Sequence, residues 1–369
     1  MALKILFCTP YKQSPEFIQG GIAVWGFNMI EYSKQNDDVK LLPISFDRKT
    51  FANRISNPLR RLYCGVKELS ASVMSAKEMM KQNKVDAIHI CTSASYGLLK
   101  DIILLMYAHK YGIRSIVHFH FGRIPSILST GGWECFLLKK TISMCNIAIT
   151  MNNSSYSALL GAGFQNVVNI PNPLSTNIVN KIKSLEGKYK RIPNRLLYVG
   201  HVYKEKGVWE LVRACRDIPD IELHIVGRIS PEVKEELNDI AGNSDRLWCY
   251  FDGEISHDDV LKEFQKADLF IFPSYSEGFP NVILEAMASG CPIASSNAGA
   301  IPEMLNIGKE ECGVCFLPKS VNEVQNAIIQ LQSNPLLKHE LADRAYSRVH
   351  ELYIMSKVWE MLVSVWKGC

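Results

Sequence analysis

The amino-acid sequence predicts an α/β protein built from two doubly wound parallel sheets in tandem. Short apolar runs rich in Val, Ile and Leu alternate with longer helical patterns, which is typical of parallel strands covered by helices. A polar segment near the middle of the chain interrupts this alternation. The chain has 369 residues, and because a domain commonly takes about 100 to 200 residues, two domains account for its length.

The first half of the chain contains one complete series of strands. Six apolar runs separated by helical patterns predict an N-terminal Rossmann-like domain over residues 1–175. The predicted strands are residues 4–8, 39–45, 87–91, 115–119, 147–150 and 167–170.

A domain linker is predicted over residues 176–194. This stretch is polar and rich in lysine, and Gly187 and Pro193 interrupt any regular period. A second series of strands follows and predicts another Rossmann-like domain over residues 195–345. Its predicted strands are residues 196–199, 221–226, 248–251, 269–272 and 292–295.

The end of the chain, residues 346–369, is predicted to be helical. Apolar residues recur there at intervals of three and four, so one face of the helix needs burial. We expect this helix to cross back to the N-terminal domain, because its opposite face is not basic enough to favour a membrane surface. The apolar positions are Leu352, Met355, Trp359, Leu362 and Trp366.

Charge and cysteine usage exclude several classes of protein. Lysine and arginine number 41 against 37 aspartate and glutamate residues, and the net charge of +4 is too small for a nucleic-acid-binding face. Eleven cysteines without dense clustering indicate reduced thiols in a cytoplasmic protein, and we interpret the lone pair Cys312 and Cys315 as structural. The apolar runs 5–8 and 102–108 are too short for a signal-peptide core and a membrane span, respectively.

The most informative segment is residues 267–304. An apolar strand runs into a polar turn, and Pro280 suits the first turn of a helix that ends near Gly290. The exposed amides of a helix start can bind a diphosphate, while Glu277 and Glu285 can accept hydrogen bonds from hydroxyl groups. Helical spacing places Glu285 on the face opposite the core stripe. This combination suits a nucleotide-sugar, with solvated surface glutamates as the alternative.

The segment from Glu277 to Glu285 resembles the donor-binding signature of retaining glycosyltransferases of family 4, which have the GT-B fold. The resemblance covers nearly the whole chain and implies two Rossmann-like domains that face a central cleft. The acceptor would bind the N-terminal domain, and the nucleotide-sugar donor would bind the C-terminal domain. The other matched pieces are Gly20 and Gly21 after the first strand, NIPNPL around Asn172, residues 198–207, and AGAIPEM over residues 298–304.

The resemblance also implies roles for individual residues. Glu277 would contact hydroxyl groups of the donor sugar, and Glu285 would contact the ribose. Lys206 would face the diphosphate and stabilise the negative charge that grows on the departing phosphate. His120 would hydrogen-bond the transferred sugar. The remaining donor-binding candidates are Gly20, Gly21, Gly278, Phe279, Pro280 and Asn281.

One position departs from the family pattern. His201 stands where the family supplies an arginine that faces the diphosphate, so stabilisation of the leaving group rests more on Lys206, with Lys204 as a nearby substitute. The chain contains no Asp-x-Asp triplet, which holds the divalent metal of many other sugar transferases. We therefore predict no metal and no other cofactor.

His118 and His120 also permit a zinc hypothesis, since both rings can lie on one face at a strand end. A third ligand at a telling spacing is missing from the sequence, so sugar contact or packing is favoured over metal. His118 is the competing candidate for the sugar-contacting histidine. His118 and Arg123 are also candidates for acceptor contact.

Residues 48–67 form a basic amphipathic patch without an acidic residue. Such a patch could bind anionic lipid headgroups or a lipid-diphosphate acceptor, with Arg60 and Arg61 as candidate contacts. Pro58 argues against one continuous helix, and a solvated loop and helix is the alternative interpretation.

The sequence thus predicts a retaining, metal-independent glycosyltransferase. It would transfer a sugar from a nucleotide-diphosphate sugar to a hydroxyl group of a glycan or lipid-linked acceptor, in polysaccharide or glycoconjugate biosynthesis; retention follows from the resemblance alone. The alternatives are a nucleotide-sugar epimerase of the same two-domain shape and a catalytically silent nucleotide-sugar-binding protein. We expect a cytoplasmic protein without a nucleic-acid partner, in peripheral contact with the inner face of the membrane if the basic patch binds lipid.

Overall fold

The computed structural model describes residues 2–10, 21–46, 58–82, 84–242 and 247–368, without the side chains of residues 58–66 and 68. The chain divides into two compact units: Met1–Pro171 with Trp359–Cys369, and Asn172–Val358. Within the described residues, each unit contains one sheet of six parallel strands flanked by helices. The prediction of two doubly wound α/β sheets is therefore confirmed.

The sheet of the first unit has the strand order β2-β1-β3-β4-β5-β6. Each predicted strand is present, with ends that agree to within one residue, because runs of buried aliphatic residues locate parallel strands well. The order reverses between β1 and β3, so the loops that follow these strands diverge there. The strands are β1 (Leu3–Thr9), β2 (Val39–Ser45), β3 (Ala87–Thr92), β4 (Arg114–Phe119), β5 (Ile147–Thr150) and β6 (Val167–Asn169).

Helices connect these strands and bury one side against the sheet. Pro58 is the first residue of α2, a position at which its missing amide hydrogen costs nothing. The side chain of Asn152 caps α6 by accepting a hydrogen bond of 2.8 Å from the amide of Ser155. The helices are α1 (Gly21–Ser33), α2 (Pro58–Lys81), α3 (Gly97–Lys110), α4 (Ile124–Thr130), α5 (Gly132–Met144) and α6 (Asn153–Gly161).

The sheet of the second unit has the strand order β12-β11-β10-β7-β8-β9 and reverses between β7 and β10. The five predicted strands are present, but β12 was missed because three residues are too few for a periodic signal. The strands are β7 (Arg195–Val199), β8 (Glu222–Val226), β9 (Cys249–Gly253), β10 (Leu269–Phe272), β11 (Ile293–Ser296) and β12 (Val314–Phe316).

The helices of the second unit include one inside the predicted linker. They are α7 (Thr176–Leu185), α8 (Val208–Arg216), α9 (Pro231–Ala241), α10 (His257–Lys266), α11 (Asn281–Ala288), α12 (Ile301–Met304), α13 (Val321–Ser333) and α14 (Pro335–Leu352), followed by α15 (Met355–Lys367), which ends in the first unit.

The segment 176–194 differs from the linker that we predicted. Ser175 caps α7, and Ile182 on that helix is 2% exposed. Arg191 then donates hydrogen bonds to the main-chain carbonyls of Ala267 and Ser289, which belong to the same unit. The lysine-rich composition suggests a solvated connection, but Lys181 and Lys183 belong to α7, which buries Ile182, and only Lys188 and Lys190 follow the helix.

The apolar face of α15 is buried. Trp366 packs edge-on against Trp359, and its indole nitrogen donates a hydrogen bond of 2.9 Å to Nδ1 of His89 on β3. Trp359 packs against Tyr32 of α1, with ring centroids 5.3 Å apart. The aromatic residues at the end of the chain therefore complete the core of the first unit.

Replacing Trp366 with alanine should destabilise the first unit by roughly 3 to 5 kcal/mol, because it leaves a large cavity and removes the donor to His89. Urea unfolding measures the loss. Met361→Ala changes an exposed residue of the same helix and should stay within about 0.5 kcal/mol of the parent. Equal stabilities for the two variants would contradict the packing described for α15.

Candidate active site

Two predicted residues meet where the second sheet reverses its strand order. Lys206 ends a short 3₁₀ helix in the loop after β7, and Glu277 lies in the turn after β10. Lys206 Nζ lies 2.6 Å from Glu277 Oε1, and the two side chains are 19% and 13% exposed. Since ligands of doubly wound sheets bind at such reversals, this ion pair marks the candidate site.

The loop that carries Lys206 is held closely against the end of β10. Gly207 has φ +69°, and a Cβ atom there would lie 2.2 Å from the carbonyl oxygen of Pro273. The amide of Tyr275 donates a hydrogen bond of 2.8 Å to the carbonyl of Glu205. Only glycine at position 207 allows this approach, which places the Lys206 ammonium group beside the turn after β10.

The AGAIPEM segment supports the same turn from the opposite side. Gly299 has φ +57°, and a Cβ atom there would lie 2.0 Å from the carbonyl oxygen of Glu277. The amide of Ala300 donates to the carbonyl of Gly278 over 3.2 Å. The turn that carries Glu277 is therefore fixed by main-chain contact with the segment before α12.

The helix after this turn begins as the sequence predicted. Pro280 precedes α11, and no side chain caps the first amides of the helix. The amide of Ile283 donates to the carbonyl of Pro280 over 3.1 Å, and the amides of Asn281 and Val282 can donate to a ligand. Asn281 Oδ1 is buried without a hydrogen-bond partner among the described residues. The main-chain amides thus offer donors at this end of the site, and Asn281 Oδ1 offers an acceptor.

Phe279 does not present its ring to a pocket. The side chain is buried, and its ring packs edge-on against Tyr353 with centroids 5.6 Å apart. The carbonyl of Phe279 accepts a long hydrogen bond of 3.5 Å from Asn172 Nδ2 in the NIPNPL segment. The ring of Phe279 therefore anchors the turn, and its contribution as a predicted donor-binding residue would come from its main chain.

Glu285 is buried, contrary to the expectation that it points away from the core. It is 8% exposed, because α11 is covered on nearly all sides. Glu285 Oε1 lies 3.0 Å from Nε2 of His257, the first residue of α10. The sequence did not indicate His257, since 28 residues separate the two positions and no local pattern joins them.

The contact with Glu285 affects the protonation of His257. The hydrogen bond from its ring to the carboxylate raises the pKa of His257 above its ordinary value of 6.5, against the opposing effect of burial. The imidazolium and the carboxylate therefore attract each other fully below pH 6.5, and this attraction is lost as the pH rises through the raised pKa.

His201 is exposed, and its carbonyl accepts a hydrogen bond of 3.0 Å from the hydroxyl of Tyr198. The amide of the next residue, Val202, donates to the carbonyl of Arg228 over 2.9 Å. Arg228 is exposed, and its guanidinium has no partner among the described residues. A free arginine therefore follows β8 directly beside the loop in which histidine replaces the arginine of the family pattern.

His118 and His120 lie in an aromatic cluster of the first unit. Their rings stack with centroids 4.0 Å apart, and Trp25 lies 4.5 Å from His120 and 4.9 Å from His118. Burial lowers the pKa of His120 to about 3 and that of His118 well below 6.5, so both rings are neutral. His118 is wholly buried, which corrects its assignment as an acceptor contact. No group of three His, Cys, Asp or Glu side chains in the described part of the chain could hold a metal ion.

Arg123 is already paired, which argues against its predicted role in acceptor contact. Its guanidinium donates to both carboxylate oxygens of Glu134, over 3.0 and 2.6 Å, and to the hydroxyl of Ser95 over 2.9 Å. This arrangement fixes the loop after β3 to the start of α5. A bidentate pair of this kind leaves little of the guanidinium for another ligand.

Several predicted residues lie outside the part of the chain that the structure describes. Gly20 and residues 48–57 of the basic patch lie outside the described residues, and the side chains of Arg60 and Arg61 at the start of α2 are not described. Gly21 is the first residue of α1, and no atom of the described residues lies within 4 Å of the place that a Cβ atom would take. Along the described helices, none combines the length and the apolar character needed to cross a membrane.

Comparisons with known proteins identify similar chains. A sequence model described as glycosyl transferases group 1 matches residues 148–348. An uncharacterized glycosyltransferase of Haemophilus influenzae is 23% identical over 358 residues, covering 91% of this chain and 92% of the relative. An MMP alpha-(1->4)-mannosyltransferase of Mycolicibacterium hassiacum is 29% identical over 191 residues, covering 50% of this chain and 46% of the relative.

A solved structure has a similar fold over the full length. The Anabaena protein HepE in complex with UDP superposes with a TM-score of 0.72 at 18% identity, and the alignment covers 100% of both chains. A second structure of that protein, in complex with UDP-glucose, gives a TM-score of 0.67 with the same coverage.

Changing Gly299 to alanine should lower the free energy of unfolding by at least about 2 kcal/mol, because the new Cβ atom would meet the carbonyl of Glu277. Donor binding should weaken as well, since the same turn carries Glu277. Gly308→Ala is the matched control, with φ +82° but open space around it, and should cost only about 1 kcal/mol. Unfolding curves and donor titration measure both effects. If the two alanine variants gave the same results, the close contact of Gly299 with the carbonyl of Glu277 would be contradicted.

The His257 titration should move when its partner is changed. In the parent protein, NMR titration of the imidazole should give a pKa above 6.5, and Glu285→Gln should bring it back toward 6.5 because the carboxylate charge is lost. Glu277→Gln is the control, since it leaves the contact between His257 and Glu285 in place. An unchanged pKa in Glu285→Gln would exclude the pairing.

Proposed function

The chain belongs to the group 1 glycosyltransferase family, and we propose that it transfers a sugar from a nucleoside-diphosphate sugar to a hydroxyl group of a glycan or lipid-linked glycan acceptor. The observation that carries this proposal is the pair of Lys206 and Glu277 beside the uncapped start of α11. A cation, free amides and a carboxylate are the groups that a diphosphate and sugar hydroxyls require. The UDP and UDP-glucose complexes of the similar Anabaena protein support the choice of donor.

Donor binding would rearrange the ion pair. Without a ligand, Lys206 and Glu277 neutralise each other at 2.6 Å. A diphosphate brings more negative charge than one carboxylate, so it would take over the ammonium group and release Glu277 to accept hydrogen bonds from the sugar. Glu285 would accept from the ribose hydroxyls, held in position by His257. In this proposal the binding energy of the donor offsets the loss of the internal pair.

The same cation would assist bond cleavage. As the bond between the anomeric carbon and the phosphate oxygen breaks, negative charge grows on the departing phosphate. Lys206 and the first amides of α11 stabilise that charge more in the transition state than in the ground state. This arrangement would make a divalent metal unnecessary. Arg228 lies beside the loop of His201, and its charge would support the leaving group where the family arginine is replaced.

Retention of configuration is part of the proposal and rests on the family. No carboxylate in the described site has been assigned as a nucleophile, so we propose a front-face route. The acceptor oxygen would bond to the anomeric carbon on the side from which the phosphate departs, and the acceptor proton would pass to the phosphate oxygen. His120, held neutral by burial, would hydrogen-bond the transferred sugar without acting as a base.

Lys206→Ala should reduce kcat by roughly 100- to 1000-fold, as expected for the loss of one group that stabilises the developing charge. The matched control is Lys183→Ala, which removes an exposed lysine of α7 in the same unit and should stay within a few-fold of the parent. The assay follows donor consumption and product formation with a panel of UDP-, GDP- and ADP-sugars, in the presence of a chelator.

Four results would contradict the proposal. If Lys206→Ala keeps activity within a few-fold of the parent, Lys206 does not stabilise the leaving group as proposed. Conversion of the donor sugar to an isomer without any acceptor would indicate an epimerase. Tight donor binding with neither hydrolysis nor transfer across a panel of acceptors would indicate a silent binding protein, and abolition of activity by the chelator would show that a metal takes part.

A further inference from the structure

Helix α3 is apolar on two opposite sides, although only one of them faces the core. Leu98, Leu104 and Leu105 are almost completely buried against the sheet. The opposite stripe nevertheless carries Leu99 and Met106, which are 48% and 58% exposed. An apolar stripe on a helix normally faces a packing partner, and the described part of the chain leaves this stripe uncovered.

Helix α5 extends this exposed apolar surface. Trp133 and Phe136 are 53% and 68% exposed on its outer side. The ring of Trp133 stacks on that of Tyr96, just before α3, with centroids 4.9 Å apart and an interplanar angle of 18°. We define the outer face of α3 and α5 by its exposed apolar residues, which are Tyr96, Leu99, Ile103, Met106, Trp133 and Phe136.

The two helices run side by side in the same direction. Each connects two neighbouring parallel strands, α3 between β3 and β4 and α5 between β4 and β5. The stacked pair Tyr96 and Trp133 lies at their N-terminal ends, and Leu99 and Phe136 follow one turn later on each helix. The exposed residues therefore form one contiguous apolar surface, larger in extent than the isolated apolar side chains found on most protein surfaces.

The charges around the outer face are positive. Lys110 at the end of α3 and Lys139 and Lys140 on α5 are exposed. The two acidic residues of these helices are already neutralised, since Asp101 is buried in contact with Lys100 and Glu134 is paired with Arg123. No exposed acidic side chain remains on either helix, so the face combines apolar side chains with unpaired cations.

We propose that the outer face of α3 and α5 docks the first unit onto the surface of an anionic lipid bilayer. Tryptophan and tyrosine favour the boundary between lipid headgroups and acyl chains, and the aliphatic residues beside them would enter the acyl region. The lysine side chains reach upward to anionic headgroups along their flexible stems. A protein partner would be expected to meet polar groups of both signs, whereas this face offers only cations.

This surface is distinct from the basic patch at residues 48–67, and it does not depend on the proposed transfer reaction. Docking would bring the first unit to a membrane where a lipid-linked acceptor is held. The inference about membrane binding can fail while glycosyl transfer holds, and the reverse is also true, because vesicle binding is measured without donor or acceptor.

Flotation of the full chain with vesicles tests the proposal. Wild-type protein should float with vesicles of phosphatidylcholine and phosphatidylglycerol, and bind vesicles of phosphatidylcholine alone more weakly. Trp133→Ser with Phe136→Ser should lower the partition coefficient at least about tenfold, because two exposed aromatic groups no longer enter the bilayer. Lys139→Glu with Lys140→Glu should lower it roughly tenfold or more on the anionic vesicles at low salt.

Two matched controls come from the second unit. Leu336→Ser removes a residue that is 79% exposed on α14, and Lys188→Glu with Lys190→Glu reverses two exposed lysines. Both should bind vesicles as the wild type does, and thermal unfolding followed by circular dichroism should show all variants folded.

The proposal is overturned if wild-type protein binds no anionic vesicles, or if the aromatic double variant binds them as well as the wild type does. Light scattering that shows a dimer separated by the aromatic double variant, without vesicle binding, would instead assign the face to self-association.

Discussion

The candidate site depends on the close approach of main-chain segments at one edge of the second sheet. The loop after β7 and the segment before α12 both contact the end region of β10 at positions where a Cβ atom would collide with a carbonyl oxygen. Gly207 and Gly299 make these contacts, and between them lies the turn that carries Glu277. The backbone thus brings together the loops that carry the lysine and the carboxylate, whose side chains lie 2.6 Å apart.

Charge is distributed unequally between the sites of the two units. In the second unit, Lys206 and Glu277 form an ion pair, and His257 lies against Glu285, so the charged groups are neutralised internally until a ligand competes for them. In the first unit, burial keeps His118 and His120 neutral. An anionic ligand would therefore be recognised by the second unit, while the histidines of the first unit can offer only neutral hydrogen bonds. This division suits a charged donor and an uncharged hydroxyl acceptor.

The first unit exposes apolar residues on its surface that the packing of its interior does not explain. The strands and the inner sides of the helices are apolar because the sheet must be covered on both faces. The outer side of α3 has no such reason to be apolar, yet it exposes Leu99, Ile103 and Met106. Arg123 and Glu134 neutralise each other at the start of α5, which leaves the nearby lysines to determine the sign of the local charge. Composition alone could not reveal this, since the whole chain carries only a small net charge.

The amino-acid sequence by itself determined the strands and the helix that begins after Pro280, and the resemblance to a family singled out Lys206 and Glu277 as candidates. Apolar runs and turn residues act over a few neighbouring positions, so these features can be recognised locally. Only the tertiary structure decided which side chains meet: Glu285 with His257 across 28 residues, and Lys206 with Glu277 across 71. It also buried His118 and turned part of the predicted linker into a helix. The order of strands in the sheet determines which loops lie next to each other. No local sequence pattern records that order, so these contacts could not be predicted from the residues alone.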